Sequence, residues 1–234
     1  MALTESLVMN LKYVIFYLEK VVFHTKILLL WRWINMATKR FKHVYQFKIQ
    51  LKDIKPPIYR IIEVPEYYTF WDFHVAIQDA MGWSDYHLHT FFMKEPAFKT
   101  EVQLGIPLED YDENLIPEFL MKISQFFTPN NKNAIYIYDF GDEWVHQITL
   151  REIHPAEKNK DYPICIEGKR ACPPEDCGGV TAYLRMLEIL QNPKNEEYKE
   201  MIKWVGKDYN PEFFDKEKVH FSDPTERFNQ AFEP

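Results

Sequence analysis

Tyr45-Gln46-Phe47-Lys48-Ile49-Gln50-Leu51-Lys52 alternates apolar and polar side chains without a break. A period of two puts Tyr45, Phe47, Ile49 and Leu51 on one face and the glutamines and lysines on the other, which predicts a strand with one buried and one wet side. Asp53-Ile54-Lys55-Pro56-Pro57 then predicts a turn, because neither proline can donate to a sheet ladder and each restricts the residue before it. Ile58–Val64 reads as the returning strand of a hairpin. Thr69 followed by Asp72 has the form of a capping box. Phe70, Phe73, Ile77 and Ala80/Met81 supply a helical face, and Gly82 ends it. Leu88, Thr90 and Phe92 alternate with His87, His89, Phe91 and Met93 in a third strand. Strand, strand, helix, strand is the opening order of a β-grasp (ubiquitin-like) module, so the expected fold is α+β: one domain with a mixed or antiparallel sheet, a β-grasp-like core and C-terminal helices.

Residues 94–134 are punctuated by Pro96, Pro107, Pro117 and Pro129, with a short helix expected over 116–126. Glu109, Asp110, Asp112 and Glu113 read as a solvated acidic face. A second hairpin follows: Ile135–Phe140 and Glu143–Leu150 flank Gly141-Asp142, and Gly at the first loop position predicts a two-residue II′ turn. That turn pairs Phe140 with Glu143, Asp139 with Trp144 and Ile137 with His146. Ile135, Ile137, Asp139, Trp144, His146 and Ile148 then share one face, with Asp139 in reach of His146.

Gly168-Lys169-Arg170-Ala171-Cys172-Pro173-Pro174-Glu175-Asp176-Cys177-Gly178-Gly179 reads as a rigid loop that delivers a helix N-terminus. Val180, Tyr183, Leu184, Leu187 and Leu190 continue it at helical spacing. A further helix is expected near 195–205, capped by Asn195 and stopped by Gly206, and a short one over 224–232.

Four chemistries are open to these residues. Asp139, Asp142, Trp144, His146, Glu175 and Asp176 form a candidate polar site beside the helix at 178. His87, His89, His146, Cys172 and Cys177 are a candidate zinc set, since imidazole and thiolate suit that ion and His87 and His89 fall on one side of their strand. Cys172 or Cys177 with His146 and Asp139 has the composition of a nucleophilic triad. Lys48, Lys52 and Lys55, near Lys39, Arg40, Lys42 and His43, form a basic candidate nucleic-acid patch.

Composition narrows these choices. The chain has 234 residues, 46% of them hydrophobic and 16% aromatic, which excludes a disordered or low-complexity protein. A net charge of −7 speaks against general coating of nucleic acid, and three cysteines without a secretory pattern point to the cytoplasm rather than to a disulfide framework. Residues 7–34 are apolar but broken by Lys12, Glu19, Lys20, Lys26 and Arg32, so no transmembrane span is expected. Residues 1–35 read as an upstream extension arising from start-site choice, with Met36 a natural start, or else as an amphipathic helix that docks on a partner or a membrane surface.

Tyr138–His146, Ala171–Gly179 and His87-Leu88-His89-Thr90-Phe91 together resemble the Ri-plasmid pRiA ORF-three-like family, whose members include passenger proteins of insertion elements. Lys55–Arg60 resembles its first turn and Tyr209–Asp215 its C-terminal signature, so the resemblance spans about 42–218, leaving 219–234 as a tail. It implies an uncharacterised α+β domain carried by plasmids and mobile elements. The expected role is a non-catalytic binding or accessory module for a protein or nucleic-acid partner. The alternative is a metal-dependent or thiol-based hydrolase using His146, Asp139 and Cys172/Cys177.

Overall fold

In a computed structural model, residues 41–107 and 115–232 are described; the expectations for 1–35 and for the acidic patch at 109–113 lie outside them. Eight strands form one sheet: β1 (His43–Leu51), β2 (Tyr59–Pro65), β3 (His89–Lys94), β4 (Glu101–Gly105), β5 (Leu115–Pro117), β6 (Asn133–Tyr138), β7 (Trp144–Pro155) and β8 (Ile164–Lys169). Their order is β5-β4-β3-β6-β7-β1-β2-β8, with every pair antiparallel except β4–β5 at one edge. Among the described residues five α-helices accompany the sheet: α1 (Phe70–Met81), α2 (Ile123–Phe126), α3 (Gly179–Gln191), α4 (Tyr198–Val205) and α5 (Pro224–Phe232). The class is α+β with a mixed sheet. The opening order of strand, strand, helix, strand is as expected, but β1 is flanked by antiparallel neighbours on both sides, so the β-grasp expectation does not follow from it. Among the described residues no helix is long and apolar enough to cross a membrane.

The first alternating stretch forms β1 as expected, with Tyr45, Phe47, Ile49 and Leu51 buried. Its inner face meets α1, where Phe47 packs on Phe73 at 4.6 Å between ring centroids and on Phe127 at 4.7 Å. α1 begins at the expected capping box: the Thr69 side chain accepts the Asp72 N–H at 3.2 Å, and Asp72 returns a bond to the Thr69 N–H at 2.8 Å. Gly82 closes it with φ 90°. Thr69→Ala leaves the Asp72 N–H without its acceptor and is expected to cost about 1 kcal/mol, read as a lower urea midpoint with an unchanged slope.

The stretch expected as one helix over 116–126 divides into β5, a single 3-10 turn at Glu118–Leu120 and the one-turn α2. The terminal helix α5 is tied to α1, because the Trp71 indole N–H donates to the Pro224 carbonyl at 2.9 Å and Phe228 packs edge-on against that indole.

The second hairpin corrects the sequence expectation. Tyr138 pairs with Trp144 and Tyr136 with His146, so the connection spans Asp139–Glu143 instead of a two-residue II′ turn. Asp139 is the cause. Its backbone is left-handed at φ 56°, its carboxylate accepts the N–H groups of Gly141 and Asp142, and its carbonyl accepts the Glu143 N–H at 2.7 Å. An Asx-type loop of that kind consumes residues that the shorter turn leaves to the ladder. The register moves by one, so Tyr136, Tyr138, Trp144, His146 and Ile148 face the core while Ile135 and Ile137 face outward. Asp139 therefore leaves the face it was expected to share with His146.

The first turn and the 209–215 segment meet across the loop after β8. Arg170, nearly buried, donates to the Pro56 carbonyl at 2.8 Å and to Glu212 at 2.9 Å. The Arg60 guanidinium lies 3.9 Å from the centre of the Phe214 ring. Two motifs far apart in sequence are thus halves of one structural clasp.

Candidate functional site

Three segments converge at one end of the sheet: 83–88 after α1, the Asp139–Glu143 loop, and the 171–179 loop before α3. Trp83 is the pivot. Its indole N–H donates to the Pro173 carbonyl at 2.9 Å, and its ring stacks on Tyr138 at 4.9 Å. Glu175 accepts the Ser84 N–H at 2.6 Å and the Tyr138 hydroxyl at 3.2 Å, while that hydroxyl accepts the Tyr86 N–H at 3.1 Å. Burial, with Glu175 beside it, pushes the Tyr138 phenol well up, so it remains a donor at any ordinary pH. Asp142 accepts the Gly178 N–H at 2.9 Å. The two glycine-marked loops expected to build a common site do touch, with Asp142 the tie between them, while Glu175 ties the 171–179 loop to Ser84 and to the end of β6.

Of the six residues in the expected polar site, four carboxylates reach this loop cluster: Asp139, Asp142, Glu175 and Asp176. Trp144 and His146 lie beneath it in the core. His146 is fully buried between Trp83, edge-on at 5.3 Å, and Tyr136 at 5.2 Å, and no side chain bonds either ring nitrogen. Burial drives its pKa down to about 3, opposed more weakly by the backbone of Trp144 and Tyr136. Burial pushes the Cys177 thiol up to about 12 and the Cys172 thiol higher still. Neither thiol is shifted toward the thiolate and His146 has no side-chain partner to orient it as a base, so these residues do not show the features of the thiol-based alternative.

The expected zinc set is divided. Among the described residues, two groups of three or more ligating side chains have their ligand atoms within 4.8 Å of one another: His74, Asp85 and His89, and His87, Asp139 and Asp176. His146, Cys172 and Cys177 belong to neither. His87 and His89 part company because His89 opens β3 with its ring in the interior, whereas His87 precedes the strand and stays partly exposed.

The interior group was not foreseen as a unit, although His74 falls on the apolar face of α1 with Phe70, Phe73 and Ile77. His74 Nδ1 lies 2.8 Å from the Tyr136 hydroxyl and Nε2 2.8 Å from Asp85, which also faces Arg227. His89 Nε2 lies 2.8 and 2.9 Å from the two oxygens of Glu118, a fully buried carboxylate. The two imidazoles stack at 3.3 Å between centroids and 2° between planes. Burial, and then the neighbouring His89, push the His74 pKa down. These bonds account for both His74 nitrogens and the Glu118 carboxylate, so the network reads as a structural one.

His87 differs. Its Nε2 lies 3.0 Å from Asp176 Oδ1 and 3.6 Å from Asp139 Oδ2, yet it makes a hydrogen bond to neither and the atom is shielded from solvent. Tyr86, Leu88 and Phe140, which the sequence did not mark, stand exposed around it at 77%, 41% and 55%. Their signal was the absence of an inward partner for apolar residues next to a turn. On the β1 side, Lys48 sits 4.8 Å over the Tyr59 ring, with Lys52 and Lys55 exposed.

Residues 43–218 match the model of a family described as plasmid pRiA4b ORF-3-like protein. An uncharacterised protein of Sinorhizobium fredii, y4hQ, is 32% identical over 164 residues, covering 70% of this chain and 81% of that protein. The crystal structure of a protein of unknown function, MM3350 from Methanosarcina mazei, is 45% identical with a TM-score of 0.74, covering 77% of this chain and 99% of that one.

Proposed function

The chain belongs to the plasmid pRiA4b ORF-3-like protein family, and from the geometry of its loop end we propose that it is a non-catalytic binding module for a protein partner. The observation that carries this reading is the exposure of Tyr86, Leu88 and Phe140 beside the carboxylates of Asp139, Asp142, Glu143, Glu175 and Asp176. Large apolar side chains left in water next to a rigidly tied loop cluster are the ordinary make-up of a recognition surface. The surrounding negative charge repels a phosphate backbone and favours a segment that offers an aromatic or aliphatic side chain flanked by Lys or Arg. Nucleic acid would have to use the Lys48, Lys52 and Lys55 side instead, where Lys48 is already engaged with Tyr59.

The test is fluorescence anisotropy of the full chain against two labelled ligands, an aromatic peptide rich in Lys and Arg and a DNA duplex. The expected result is peptide binding that Tyr86→Ser with Phe140→Ser weakens at least about tenfold. Salt-dependent DNA binding that is lost in Lys48→Gln with Lys52→Gln, and indifferent to the rim changes, would overturn it.

A further inference from the structure

We propose that His87, Asp139 and Asp176 bind one divalent transition-metal ion of the zinc class. The distances fit such an ion. Metal bonds of about 2.0–2.1 Å in a tetrahedron set neighbouring ligand atoms about 3.4 Å apart. His87 Nε2 lies 3.0 Å from Asp176 Oδ1 and 3.6 Å from Asp139 Oδ2, either side of that value. The nitrogen is in hydrogen-bonding range of one carboxylate without being aligned to it, lies just beyond that range of a second, and is closed to water. With no hydrogen bond made at this nitrogen, its lone pair is free for an ion held between the two carboxylates.

The division of labour at Asp139 agrees. Its Oδ1 is committed to the Gly141 and Asp142 N–H groups, which fixes the carboxylate, and Oδ2 is the oxygen turned toward His87. An outer bond that orients a ligating carboxylate is the usual accompaniment of a metal site. The other nearby carboxylates are occupied: Asp142 by the Gly178 N–H, Glu175 by Ser84 and Tyr138. Three protein ligands therefore leave a position open to water or to a partner's side chain.

The buried His74, Asp85 and His89 group fails the same test. A metal lies in the plane of the imidazole that binds it, and two rings stacked 3.3 Å apart at 2° share no such plane. One imidazole with two carboxylates suits zinc or manganese better than magnesium, which prefers oxygen alone.

The inference uses the same loop cluster as the binding-module reading but needs no partner, so the two are separable. Untagged full chain is dialysed against Zn2+ alone, and against Co2+ for its absorption spectrum. One ion per chain is expected, with affinity at least about tenfold weaker in His87→Gln and in Asp176→Asn. Asp176 is exposed, so its variant retains the fold even where a change at His87 does not. The cobalt spectrum is expected to show nitrogen and oxygen ligation without a thiolate charge-transfer band. Absence of a bound ion, unaltered binding in folded Asp176→Asn, or a thiolate band would each overturn the site. Peptide binding without metal binding would refute this inference and leave the module reading standing, and the reverse result would do the opposite.

Discussion

Gly179→Ala is expected to destabilise the protein by about 3 kcal/mol. Gly179 opens α3 with φ 73°, a backbone value that L side chains rarely adopt. A methyl group there would lie 2.5 Å from the Asp142 carbonyl oxygen, well inside contact distance. That oxygen is backbone in a loop whose Asp142 carboxylate already holds the Gly178 N–H, so moving it means separating the two loops. Strain and clash act together. Gly82 provides the control: its φ is 90°, but nothing lies within 4 Å of the added carbon, so Gly82→Ala is expected to cost only the strain, about 1 kcal/mol. Urea midpoints of the two variants measure the difference. Equal losses would show that the loop cluster yields easily. A selective loss at Gly179 would also spread to the His87 contacts, since Asp176 rides on the same loop.

The second large effect is pH dependence through His146. Its pKa is pushed down to about 3 by burial, against about 6.5 in an unfolded chain. Between those values the unfolded chain binds a proton that the folded one refuses. Stability therefore rises with pH across the window, by up to about 1.4 kcal/mol per unit. The contribution is complete above about pH 6.5 and is lost as pH falls toward 3. His74, lowered in the same direction, adds to the slope. His146→Phe keeps the ring volume and deletes two nitrogens that no side chain bonds. It is expected to flatten the acid branch between pH 6.5 and 5 and to raise stability at pH 7.5 by about 1 kcal/mol. A variant less stable at neutral pH would mean that the backbone contacts of the imidazole outweigh its desolvation.

These two positions also show what the sequence carried and what it did not. The β1 alternation, the Thr69 capping box and the α3 periodicity are local patterns, and local patterns survive folding. The second hairpin did not read correctly, although it contains the same kinds of signal. Gly141-Asp142 has the composition of a tight turn, but the decision lay with Asp139, whose carboxylate and left-handed backbone enlarge the loop to residues 139–143. A one-residue change in loop register exchanges the two faces of a strand, so Tyr136 and Tyr138 took the interior that the isoleucines were expected to hold. The partnership of Asp139 with His146 went with it.

The site was half legible. Asp139, Asp142, Glu175 and Asp176 were recognised as neighbours because both loops are marked by glycine and acid. Assigning His87 to them, and His89 to the core, depends on where β3 begins, and a period of two places both histidines alike. The stacked imidazoles and Glu118 join α1, β3 and the turn at 118–120, positions whose proximity no spacing rule contains.

The strand order has a consequence for how the chain comes off the ribosome. The β1–β2 hairpin is complete early, yet the other edge of β1 waits for β7: Ile49 finds its partner only when Ile148 has been made. Until then a row of unpaired amides, backed by Phe47 and Ile49, is open to any extended segment that passes. Long-range pairing of this kind is slow to form, and the exposed interval invites association between nascent chains. The β1–β7 seam of the finished sheet is thus a vulnerable edge during synthesis, and rapid elongation through residues 66–155 shortens the time it stays bare.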